Sequence, residues 1–195
     1  MGRICYYREM LIECFMSEFD VSERHAIVVH APVEQIYAAL WQADLAAARI
    51  ARMLLALRGL ALILRRETAA PRMTRFTLRD FLGAGFVLLG EQPGRELVLG
   101  VAGRFWAVRG DLQRLDARGF VRFDRPGYAK AVWNFSLLPL GENSTLLATE
   151  TRVQALDARS RHHFLRYWQV IGWGSALIRR LMLRTIKRVA EGHGQ

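Results

Sequence analysis

The sequence predicts an α+β domain: a curved antiparallel sheet gripping a long C-terminal helix, with a cavity between sheet and helix. Three observations carry this. Near the start, His25-Ala26-Ile27-Val28-Val29-His30-Ala31-Pro32 runs into Val33-Glu34-Gln35-Ile36-Tyr37-Ala38-Ala39-Leu40-Trp41, which reads as a strand, a proline stop and an amphipathic helix. A series of strand-like segments separated by turn signals fills the middle of the chain. The end of the chain, residues 160–191, then repeats apolar or small residues at helical spacing: Phe164, Trp168, Ile171, Ser175, Ile178, Met182, Thr185 and Val189.

Each element has a local reason. Residues 19–30 alternate and form the first strand. Pro32 sits where a first-turn proline is tolerated, and Glu34 suits the positive end of a helix. Val33, Ile36, Tyr37, Leu40 and Trp41 then fall on one helical face. A second helix, rich in Ala, Leu and Arg, is expected over residues 44–64, and a short strand over 76–80. Residues 86–91 form a clearer strand, with a turn at Gln92-Pro93-Gly94-Arg95. Residues 96–107 alternate, with Leu97, Leu99, Val101 and Phe105 on one face, and Gly100 and Gly103 permit curvature. A further strand is expected over 119–123. Residues 131–139 and 145–153 make a hairpin around Gly141-Glu142-Asn143-Ser144. Inside the closing helix, Gly172 and Gly174 each cost about 1 kcal/mol relative to Ala. A kink, close packing or room for a ligand must offset that. Residues 1–17 lack a period and are read as an N-terminal extension that adds little to the core, leaving residues 18–193 as a single domain.

With 52% hydrophobic and 24% charged residues among 195, the chain is globular and long enough to bury a core. Its net charge is +10, and only Lys130 and Lys187 are lysines, so nearly all of the basic residues are arginines. They are scattered, without the basic-plus-aromatic pattern of an RNA or single-strand binder, so no nucleic-acid partner is expected. Weak contact with an anionic membrane surface stays open. Two cysteines, Cys5 and Cys14, make no disulfide framework, and a reduced, cytoplasmic setting is the default. Arg8, Glu9 and Glu13 interrupt any signal-peptide core, and the longest apolar stretch, residues 53–64, is too short to span a bilayer. His162 and His163 are adjacent and have no Cys or carboxylate at ligand spacing, so neither a metal nor a cofactor is expected.

Glu150 and Arg152 lie two apart on a strand and share a face. They form either the polar end of an apolar pocket, with Arg152 holding a ligand carboxylate, or an ion-pair ladder with Glu91, Glu96 or Arg104. Tyr167 and Trp168, early in the closing helix, stand beside the expected cavity mouth or pack in the core.

The order of elements, with Ala31-Pro32-Val33-Glu34-Gln35-Ile36-Tyr37 at the opening, resembles the SRPBCC, or START-like helix-grip, superfamily. Residues 91–96, Trp133-Asn134-Phe135, Thr149-Glu150-Thr151-Arg152-Val153 and Tyr167-Trp168 are similar to a bacterial branch of it, and the resemblance covers residues 18–191. It implies binding of a small hydrophobic ligand such as a lipid, polyketide or aromatic compound in an internal cavity. The side chains it implies are Phe86, Leu88, Leu99, Val101, Phe105, Trp133, Phe135, Thr149, Thr151, Phe164, Tyr167, Trp168 and Ile171, with Glu150 and Arg152 at the polar end. Two alternatives belong to other classes. One is a polyketide-cyclase-like enzyme using Glu150, Tyr167 or Glu96 as acid or base. The other is a peripheral membrane or protein-interaction module using the basic closing helix or residues 53–64.

Overall fold

The computed structural model describes residues 10–45, 76–107 and 111–192. In chain order the elements are α1 (Leu11–Phe15), β1 (Val21–Val29), α2 (Val33–Gln42), α3 (Leu78–Gly83), β2 (Val87–Gln92), β3 (Glu96–Gly103), α4 (Ala117–Arg122), β4 (Ala129–Gly141), β5 (Ser144–Ala155) and α5 (Ala158–Ala190). The strands form one five-stranded antiparallel sheet in the order β1-β5-β4-β3-β2. The expected helix over 44–64, and with it residues 53–64, lies almost wholly outside the described residues.

Side chains alternate across a strand, so the register divides the sheet into two faces. Leu97, Leu99, Trp133, Phe135, Leu137, Leu147 and Val29 point to the concave face. There they pack with α2 (Ile36, Ala39, Leu40), α3 (Leu78, Phe81) and the C-terminal half of α5 (Ile178, Met182, Leu183, Ile186, Ala190). At the other end of that face, Val101, Ala131 and Val153 pack under Phe164 with Tyr167 and Trp168, the first turns of α5. The 33-residue α5 therefore lies along the whole concave surface. Its N-terminus is fixed by Asp157, whose carboxylate accepts from Ser160 N at 2.9 Å, Ser160 Oγ at 2.5 Å and Gly127 N at 2.5 Å. Those bonds, the Ser160 hydroxyl's foremost, hold its pKa down at about 2. Among the glycines of α5, Gly172 has a packing reason: the Trp168 indole lies over it, 3.2 Å from where a Cβ would stand.

The convex face carries a second core: Ile12 and Met16 from the N-terminal segment, Leu89, Val98, Val132 and Phe120. Gly100 lets Leu89 and Phe120 close over it, since a Cβ there would come within 2.7 Å of Leu89 Cδ1. Residues 11–16 thus belong to the core: Ile12 is 1% exposed and Met16 4%, against the expectation of a loose extension. That segment is too short for any periodicity to register. Cys14, on α1, is disulfide-bonded, where the composition favoured a reduced thiol.

Two expected strands are helices. Residues 78–83 begin with a reciprocal capping box between Thr77 and Asp80. Residues 117–122 begin with Asp116, whose side chain accepts from Gly119 N at 2.6 Å. In both, the cap just upstream of a short apolar run outweighs the run's strand-like composition. The strand expected over 96–107 stops at Gly103.

Candidate functional site

The concave interior has an aromatic floor. Trp133 and Phe135 alternate inward on β4 with ring centroids 4.9 Å apart. Phe81 of α3 meets Trp133 edge-on at 5.2 Å, and Phe86, just before β2, at 5.3 Å. The Trp133 indole N–H donates to Thr149 Oγ1 at 2.7 Å, and that hydroxyl donates to Asn134 O at 2.7 Å, so the buried polar atoms of the floor are satisfied. At the rim, Tyr37 of α2 donates to Glu91 of β2, and desolvation together with that bond pushes the phenol up to about 12.

Beside this floor, under the middle of α5, lies a cluster of polar side chains. Glu23 and His25 project inward from β1, with His25 Nε2 2.8 Å from Glu23 Oε1. Arg179 of α5 donates to Thr151 Oγ1 from Nε at 3.0 Å and from Nη2 at 2.6 Å, and to Ser175 O and Oγ from Nη1. The same Nη1 stands 3.6 Å from Glu23 Oε2. The side chains of Glu23, His25 and Arg179 are 15%, 13% and 11% exposed, so the cluster is sheltered but not sealed. Glu23 Oε2 is buried and has no hydrogen-bond donor.

Of the residues implied by the resemblance, Leu99, Val101, Trp133, Phe135, Thr149, Thr151 and Phe164 are buried on this face. Phe86, Leu88, Phe105, Tyr167 and Trp168 pack half-buried around them, and Ile171 is also half-buried on α5. Glu150 and Arg152 are not with them. They point to the convex face, where Arg152 pairs with Glu150 at 2.6 Å and with Glu13 of α1. Arg152 also donates to Met16 O at 2.8 Å and lies 4.7 Å over the Phe19 ring. Glu96, the other cyclase-like candidate, is on that face too and 1% exposed. It accepts from Leu11 N at 2.6 Å, Ile12 N at 3.2 Å and Asn134 Nδ2 at 2.6 Å. These groups hold α1 in place and line no cavity of the grip. The ladder with Glu91, Glu96 or Arg104 does not form either; Arg152 finds its carboxylates within its own strand and on α1.

Parity alone separates these sets. Thr149 and Thr151 cannot share a face with Glu150 and Arg152. The same rule applied to β1 places Glu23 and His25 with Ile27 and Val29 on the core side, a signal in the sequence that points to both residues. Arg179 lies one position after Ile178 of the apolar stripe, and its role becomes visible only with the β5 register. A separate cleft of about 410 Å³ lies between α3 and the segment before α4, lined by Leu82, Gly83, Gly85, Phe86, Arg114, Leu115 and Asp116.

No protein-family model matches the sequence, and no curated protein sequence matches it. Among solved structures, the chain is similar to a conserved protein from Geobacillus kaustophilus, at 10% identity and TM-score 0.44, covering 90% of this chain and 98% of that one. It is also similar to a self-sacrificing resistance protein from Micromonospora echinospora, at 13% identity and TM-score 0.37, over 91% and 98% of the two chains. An aromatase/cyclase from Streptomyces sp. R1128 aligns at 12% identity and TM-score 0.31, over 89% and 98%. The activities in those names belong to those proteins. The helix-grip architecture described above rests on this chain's own register and packing.

Proposed function

We propose that this protein binds a small, largely apolar molecule between the concave face of the sheet and α5. The observation that supports it is the joining, in one interior, of an aromatic floor around Trp133 and Phe135 with the polar cluster of Glu23, His25, Thr151 and Arg179. Small-molecule sites combine those two ingredients: apolar walls desolvate the ligand, and a few fixed polar groups orient it. Of the three groups named for cyclase-like chemistry, only Tyr167 is on this side of the sheet, so binding is the reading the interior favours. A neutral, environment-sensitive dye should be taken up at about one per chain. Ile171→Trp, half-buried on α5, should reduce uptake, while Val170→Trp, its exposed neighbour, should not. A chain that is folded by circular dichroism and takes up no dye would overturn the proposal.

A second reading concerns the outer face of α5. Trp173 and Val170 are 70% and 67% exposed there, among exposed Arg166, Arg180, Arg184 and Arg188. An apolar patch rimmed by arginines suits the headgroup region of an anionic membrane. Vesicles containing phosphatidylserine should bind the protein at low salt, release it at high salt, and blue-shift the fluorescence of Trp173. Equal binding to purely zwitterionic vesicles counts against it.

A further inference from the structure

The polar cluster has an asymmetry that specifies the ligand further. One oxygen of Glu23 is held by His25 at 2.8 Å, which fixes the orientation of the carboxyl group. The other, Oε2, is buried and receives no hydrogen bond. Arg179 forms an ion pair with it, Nη1 standing 3.6 Å away, while its hydrogen bonds go to Thr151 and Ser175. Folded proteins rarely leave a buried acceptor without a hydrogen bond, and each exception calls for a physical explanation.

The register gives the direction in which a ligand would lie. Glu23 is opposite Thr151, Thr151 is opposite Trp133, and Trp133 is opposite Leu99. Adjacent strands are spaced about 4.8 Å apart, so Glu23 and Trp133 are separated by about 10 Å across the sheet. That is about the length of a molecule with two or three fused rings. Such a molecule, with its apolar body on the Trp133 floor, spans the distance to Glu23 only by displacing the Arg179 guanidinium, which stands over Thr151 between the two.

We propose that Glu23 Oε2 accepts a hydrogen bond from the bound ligand, which is therefore an apolar, ring-sized molecule carrying a hydroxyl or N–H donor at one end. This rests on the reading of the grip as a ligand site. His25 is a positioning residue, holding the carboxyl group so that Oε2 faces the ligand.

The test compares 2-naphthol with 2-methoxynaphthalene, in which a methyl group replaces the hydroxyl hydrogen, by calorimetric titration of the full chain. Partition into an apolar space would favour the ether. A hydrogen bond to Glu23 should make the naphthol bind about ten-fold more tightly or better, the factor expected of a bond to a carboxyl group. Glu23→Leu should abolish the preference, and Glu23→Gln should reduce it several-fold. If the leucine variant fails to fold, the glutamine variant decides. Uptake of the neutral dye with equal or absent binding of the two naphthalenes overturns this inference and leaves the carrier reading standing. A preference unchanged in the variants does the same. Uptake of neither the dye nor the naphthalenes overturns both.

Discussion

Both faces of the sheet bury ionisable side chains, and they treat them differently. On the convex face, Glu96 spends its oxygens on the first two amides of α1 and on Asn134, while Arg152 binds the carbonyl at the other end of that helix together with Glu13 and Glu150. A negative group meets the helix N-terminus and a positive one its C-terminus, the pairing that the helix dipole favours. The hydrogen bond from Arg152 also holds the Glu13 carboxyl below its ordinary pKa. On the concave face, Glu23 keeps one oxygen without a donor, and Arg179 lies just beyond hydrogen-bond reach of it. The contrast separates buried charge whose hydrogen bonds are all met within the fold from a carboxylate oxygen held only by a longer ion pair. Burial and charge alone do not distinguish the two cases; a full account of each polar atom's partners does.

The two faces should differ most in the consequences of losing α1. Removing residues 1–16 takes Ile12 and Met16 from the convex core and leaves Glu96 and Arg152 buried without their main partners. The expected loss is on the order of 5 kcal/mol or outright failure to fold, read from urea denaturation. An unchanged midpoint would show that α1 is decoration. Single substitutions sharpen the contrast. Arg152→Met should lower stability by about 3 kcal/mol, because it strands Glu150 and the Met16 carbonyl. Glu23→Leu should lower stability less, by about 1–2 kcal/mol, since it removes the 3.6 Å ion pair with Arg179 and the His25 contact but leaves Arg179 its hydrogen bonds to Thr151 and Ser175. Equal losses in the two variants would erase the distinction between the faces.

The smallest expected effect is a pH dependence at the start of α5. The folded pKa of Asp157, about 2, lies below its ordinary 3.8. Its contribution is therefore fully present above that ordinary value and is lost as pH falls toward the folded one. The melting temperature of Asp157→Asn should lie a few degrees below wild type near neutral pH, and the gap should close in strong acid. A gap that persists in strong acid would show that the loss comes from packing.

Much of this architecture was legible. The proline stop before α2, the β4–β5 hairpin and the stripe of α5 follow from spacing and turn chemistry, and each appears close to its expected limits. The failures have physical causes. In α3 and α4, a single capping residue decided a segment too short for periodicity to speak. The place of α1 depends on two residues, Glu96 and Arg152, that are far away in sequence, so no local pattern contains it. Most of the apolar side of the site could be read from alternation. On the polar side, Glu150 and Arg152 have the chemistry that suits a ligand, but their parity against Thr149 and Thr151 excludes them. The residues that do stand there, Glu23 and His25, interrupt the apolar alternation of β1.

The clamp on α1 also sets a schedule for synthesis. Met16 and Arg152 are 136 residues apart, and Leu11 and Glu96 are 85 apart. A ribosome adding roughly 5–20 residues per second needs about 7 to 27 seconds to make the strand that carries Arg152 after it has made α1. During that interval Ile12 and Met16 have no sheet to cover them, and the nascent chain carries an early apolar segment awaiting a late partner. Chaperone dependence of this protein should therefore track elongation speed through the β4–β5 hairpin, with slower translation prolonging the exposure of a segment that has already left the tunnel.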